Sequence, residues 1–145
     1  MSEVSCQKYR IRAVHDTLYV ELMGTWAPED TLQFLAADKK LVASYFARER
    51  GEVLCRDQLD MLIEEDFQIE TFRSLFTWSF IKGLGALSVV KGPANRDHLL
   101  FQFEEILNHR QPVAVSLKNN LQEAVAWLAE EGYEILEPFG DRKTA

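Results

Sequence analysis

The chain has little of what usually announces a chemistry. Its two cysteines, Cys6 and Cys55, lie far apart with no partner at metal-ligand or redox spacing. This excludes a disulfide framework and a zinc knuckle. The three histidines, His15, His98 and His109, fall in a turn, at a helix start and at a helix end, and none is spaced with a second ligand. No metal site is expected. Basic residues are scarce, 16 against 23 acidic ones, for a formal charge of −7. A nucleic-acid module would show a basic stripe, and docking on anionic lipid would need a polybasic patch. No apolar run approaches the ~20 residues of a membrane span. The opening Met1-Ser2-Glu3-Val4 lacks the basic start and apolar stretch of a secretory signal. The expectation is a cytoplasmic protein with reduced thiols, no transmembrane segment, no nucleic-acid partner and no cofactor.

What the chain does have is apolar pattern. Hydrophobic residues make up 47% of its 145 positions, enough for a full core in one domain over 1–145, its body spanning about 9–132 before a polar tail at 133–145. Alternation over 9–14 and 18–23, around His15-Asp16-Thr17, predicts a hairpin, with Asp16 as the residue suited to positive φ. Pro28-Glu29-Asp30 opens a helix with proline in the first turn and acids at the positive end of the dipole. Its apolar spacing runs to Arg50, where Gly51 would stop it. A strand at 52–56, an acidic connection at 57–66 and a helix at 69–82 follow. The second half then continues strand 86–91, helix 99–108, strand 112–117 and helix 121–131. Strands separated by helices require a parallel sheet, because the helix is the crossover that returns the chain.

The strands alternate instead of being apolar throughout. Leu18, Val20 and Leu22 oppose Tyr19 and Glu21, while Val113, Val115 and Leu117 oppose Ala114 and Ser116. Parallel strands covered on both sides read as continuous apolar runs. The pattern therefore places the helices mainly on one face and leaves the other polar or small.

Gly24-Thr25-Trp26 after the second strand, Trp78-Ser79-Phe80-Ile81-Lys82-Gly83-Leu84 before the fourth, and Glu123-Ala124-Val125-Ala126-Trp127-Leu128 at the close together resemble the SpoIIAA-like (STAS-like) family of small bacterial proteins. The resemblance spans roughly 9–132. It implies an α/β βα superhelix, a five-stranded mixed sheet whose first strand is an antiparallel edge. Among relatives it implies anti-sigma-factor antagonists and cytoplasmic domains of sulfate transporters, with some members suspected of binding small apolar ligands or associating with membranes. The antagonists switch on a phosphorylated serine after the third strand. Here that region reads Cys55-Arg56-Asp57-Gln58-Leu59-Asp60-Met61-Leu62, with no hydroxyl residue before Thr71, so that switch is missing.

Candidate functional residues follow from apolar side chains in unexpected places. On the helix at 69–82, Phe72, Leu75, Phe76 and Phe80 share a face from which Trp78 and Ile81 point away. On the next helix Phe101 opposes Leu99, Phe103 and Ile106. Trp78, Ile81 and Phe101 are the candidate patch for a small apolar ligand or lipid, a second copy of the chain or another protein. Asp57 and Asp60, in the acidic connection, are candidates for a mobile loop or lid. They lack the alternate ligands and central glycine of a calcium loop. Gly83-Leu84-Gly85 lacks the third glycine and following helix of a dinucleotide fingerprint, so it is a helix stop. No Ser-His-Asp set, placed base or nucleophile elbow is visible, so no catalytic residue is expected. The function expected is a non-enzymatic regulatory or ligand-binding module, or alternatively a protein–protein interaction module.

Overall fold

A computed structural model describes residues 2–46, 49–59, 66–90 and 114–133. In chain order the elements are β1 (Ser2–Ser5), β2 (Tyr9–Val14), β3 (Thr17–Gly24), α1 (Pro28–Tyr45), β4 (Arg50–Leu59), α2 (Asp66–Ile81), β5 (Leu84–Val90), β6 (Ala114–Lys118) and α3 (Leu121–Glu130). They form one mixed sheet in the order β1-β2-β3-β4-β5-β6. The first two pairings are antiparallel and the last three parallel. Among the described residues the sheet has six strands, one more than expected. The addition is β1, a four-residue strip hydrogen-bonded outside β2. In the β2–β3 hairpin the positive φ falls on His15, at 53°, and not on Asp16.

The larger core lies under α1 and α2. Ile11, Ala13, Leu18, Val20, Leu22, Leu54, Leu87 and Val89 of the strands meet Phe34, Leu41, Val42, Phe72, Leu75 and Phe76 of the helices. Phe34 centres a ring cluster, its centroid 5.6 Å from both Tyr9 and Trp26 and 6.1 Å from Phe72. Trp26 donates its indole N–H to the Met23 carbonyl at 2.7 Å, so the buried ring keeps its polar atom satisfied.

The opposite face is not left to solvent, which corrects the simplest consequence of the alternation. Tyr19, Val53, Cys55, Ala86 and Val90 pack with Ala124, Leu128 and Tyr133, so α3 covers the β4–β6 part of this side. Small residues are there because a helix must approach closely; Ser88 and Ser116 hydrogen-bond across β5–β6 at 3.2 Å. Two of the three described helices thus lie on one face and the third on the other.

α1 stops at Tyr45, five residues short of the expected end. Phe46 is already extended, at φ −98° and ψ 123°. The strand wins Arg50 because its N–H bonds to the Gly83 carbonyl at 2.8 Å and it pairs with Leu84. β4 also runs longer than expected, past a bulge opposite Glu21–Met23. Asp57 therefore lies in the strand and not in a loop, because the pairing resumes at Gln58 opposite Met23. Asp66, at the other end of the acidic connection, already opens α2; residues 60–65 with Asp60, the 99–108 helix with Phe101, and the tail from 134 lie outside the described residues.

Candidate functional site

The outer face of α2 carries a stripe at helical spacing. Glu70, Ser74, Thr77 and Ile81 follow at intervals of four, three and four, flanked by Arg73 and Trp78, while Phe72, Leu75, Phe76 and Ser79 face the core. Lys39 of α1 leans over this stripe, its ammonium 5.4 Å from the centre of the Trp78 ring. These seven residues line one open groove of about 440 Å³. Trp78 is half-buried and packs on the edge of the core. Ile81, 76% exposed, forms an apolar lip.

The structure thus brings together two of the sequence-derived patch residues, Trp78 and Ile81. Phe101 lies outside the described residues, as does Asp60. Asp57 is placed on β4.

The charges of the groove run against those of the chain. Lys39 and Arg73 face one acid, Glu70, which pairs with Arg73. The groove carries a local excess of one positive charge in a protein of net −7. Of its two hydroxyls, that of Thr77 donates to the Arg73 carbonyl at 3.0 Å. Beneath it the crevice between the helices, lined by Phe34, Leu35, Phe72 and Leu75, has no room for a water molecule. The surface groove, by contrast, has space for a guest.

A second constellation was missed by sequence reasoning. Asp38 of α1 and Arg50 and Glu52 of β4 are buried at 1%, 0% and 5% exposure, on the core face covered by α1 and α2. Sheet register sets Glu52 between Leu18 and Leu87, and Arg50 beside Leu84. The Arg50 guanidinium donates to the Lys82 carbonyl at 3.2 Å and lies 5.6 Å from the centre of the Phe46 ring. Its Nε and Nη2, with Asp38 Oδ1 and Glu52 Oε1, have no hydrogen-bond partner among the described residues. Burial raises the Asp38 carboxyl to about 7, against the pull of Arg50 and Lys39. Burial, then the charge of Asp38, raises Glu52 to about 8, against Arg50.

The signal for this trio was present. Asp38 sits at helical spacing between Phe34 and Leu41–Val42 on the apolar stripe, and Arg50 and Glu52 alternate with Leu54.

No family model matches the chain, and neither does any curated protein. Among solved structures the chain is similar to an uncharacterised protein of the DUF3478 family with a SpoIIAA-like fold, from Shewanella loihica. The identity is 17%, the match covers 88% of this chain and 98% of that one, and the TM-score is 0.61. The fold is therefore SpoIIAA-like, as the end pieces of the sequence implied, and at that identity the likeness extends to the fold alone.

Proposed function

We propose that this chain is a non-enzymatic recognition module of regulatory kind, binding a small anionic amphiphile in the groove on α2. The observation that carries the reading is the sharing of one 440 Å³ groove by Trp78, Ile81, Lys39 and Arg73. That volume suits a drug-sized or fatty-acid-sized guest. An apolar tail would lie against Trp78 and Ile81, and an acid group would meet Lys39 and Arg73, the charge complement of the local excess. The absence of histidine or cysteine from the groove lining, and the hydrogen bond that occupies Thr77, support a binding role over a catalytic one.

The test is a titration with dodecanoate below its micellar range, followed by tryptophan fluorescence and native mass spectrometry. The expected result is one bound molecule per chain. Ile81→Asp and Lys39→Glu should each weaken it by about tenfold, the loss of one good anchoring contact. Equal affinity for dodecyltrimethylammonium, or variants that bind like the parent, would overturn the assignment. A dimer that Ile81→Asp dissolves would instead move the groove to an interface between two copies.

A further inference from the structure

The two helices that flank the groove end at the same place. α1 and α2 are successive crossovers, from β3 to β4 and from β4 to β5, and both pack on one face of the sheet. They therefore run parallel, with their C-terminal ends toward the side where β4 and β5 begin. A helix C-terminus gathers orphan carbonyls and partial negative charge, which a cation offsets. Neither helix has a basic residue in its own last turn.

Arg50, the first residue of β4, stands at this junction, fully buried. Its guanidinium donates from Nη1 to the Lys82 carbonyl at 3.2 Å, one residue past the end of α2. It also lies over the ring of Phe46, the C-cap of α1, 5.6 Å from its centre. The Arg50 backbone N–H takes the next carbonyl, that of Gly83, at 2.8 Å. One residue thus holds two consecutive carbonyls beyond α2 while it touches the end of α1. The last turn of α2 carries Trp78 and Ile81, the apolar half of the groove. The Lys82 N–H returns to the Trp78 carbonyl at 3.0 Å, so residue 82 is bonded to that turn on one side and to Arg50 on the other.

We propose that Arg50 is the positioning residue of the groove, clamping the last turn of α2 to the end of α1 and so holding Trp78 and Ile81 where a guest meets them. This role rests on the groove being the binding site. The guanidinium supplies it, and the backbone of Arg50 does not. Arg50→Met keeps the length of the side chain and the bond to Gly83, and takes away the charge and the donor to Lys82. An anchor that has been loosened must be ordered again when the guest binds, which lowers affinity with no contact to the guest removed.

The experiment measures dodecanoate affinity and amide exchange for the parent, Arg50→Met and Arg50→Lys. Asn120→Ala, which weakens the chain at α3 on the other face, is the control and should bind like the parent. Arg50→Met should bind about tenfold more weakly, and amides 79–83 should lose about tenfold in protection relative to those of 72–75 in the same helix. Arg50→Lys, which keeps a cation at the helix ends, should recover most of both losses. Parent-like affinity or protection in Arg50→Met, an equal loss in Arg50→Lys, or an equal loss of affinity in Asn120→Ala would overturn the proposal. Should Arg50→Met fail to fold, Phe46→Leu decides by the same two readings. It removes the ring under the guanidinium and should cost about threefold in each, and no change in either would refute the clamp. A parent that binds no dodecanoate would overturn the groove reading and this role with it, while the exchange comparison would still show whether the clamp holds the turn.

Discussion

Gly51 is where a single methyl group tests the packing of α3 on the sheet most directly. A Cβ there would lie 2.9 Å from Cγ and 3.0 Å from Cβ of Tyr133, and 3.2 Å from a methyl of Leu128. These are the root atoms of the Tyr133 side chain, so no ring rotation relieves the clash. Nor can the backbone slide easily. Gly132, at φ 99°, closes α3 in a Schellman turn, with the Tyr133 N–H on the Leu128 carbonyl at 2.9 Å and the Gly132 N–H on Ala129 at 3.0 Å. Overpacking of this kind costs about 1–3 kcal/mol. The loss of glycine's freedom in the unfolded chain returns roughly 0.5–1 kcal/mol. Gly51→Ala should therefore destabilise by about 1–2 kcal/mol, a fall in Tm of roughly 3–6 °C for a domain of this size.

The assay is a double-mutant cycle by urea unfolding. Tyr133→Phe keeps the ring root and should give no rescue. Tyr133→Ala removes Cγ, so its cost and that of Gly51→Ala should overlap by about 1 kcal/mol. Gly85→Ala is the internal contrast. Its Cβ would strike the far ends of Tyr133 and Glu49, which can swing aside at the expense of the hydrogen bond between them. That bond is worth about 1 kcal/mol, and its loss should be non-additive with Tyr133→Phe. A neutral Gly51→Ala, or strict additivity with Tyr133→Ala, would refute this account of the α3 contact.

Three further expectations follow from local geometry. Asn120 caps α3 by accepting from the Glu123 N–H at 2.9 Å, so Asn120→Ala should cost about 1 kcal/mol in unfolding free energy. Phe34→Ala empties the middle of the Tyr9–Trp26–Phe72 cluster and should cost about 3–5 kcal/mol, read as a loss of urea midpoint at unchanged slope. Cys6 is exposed and Cys55 buried. A thiol reagent should therefore modify one site at once and the second only on unfolding; equal rates would show that β4 opens readily.

Where the sequence was legible, local chemistry and tertiary packing agreed. Pro28, Glu29 and Asp30 open α1 as read, with Asp30 accepting from the Ala27 N–H at 2.8 Å. The β2–β3 hairpin and the α3 helix also stand where alternation and spacing placed them. Legibility failed where long-range pairing decided. Nothing local distinguishes Ala47 to Arg50 from more helix; it is the bond from Arg50 to Gly83, 33 positions away, that draws Arg50 into the sheet. Likewise the smallness of Ala114 and Ser116 looked like a solvent face, whereas α3 packs there.

For the groove, helical spacing sufficed to set Ile81 outward, while Trp78 packs on the edge of the core. Lys39 could not be foreseen, because it comes from another helix. The buried trio was visible as three charged residues on apolar stripes. It went unread because a charge on such a stripe is ordinarily assigned to the solvated face.

The coincidence of sheet order with chain order bears on how the molecule is made. Among the described residues every strand pairs with its predecessor and successor in the chain, and even across the helical crossovers the partner is near at hand, as with Gly51 and Ala86, 35 positions apart. A nascent chain leaving the ribosome would find each docking edge already built when the next strand emerges, and loop closure over such distances costs little more for the last strand than for the first. Assembly can therefore advance by accretion, one strand at a time, with the growing edge always the most recently made.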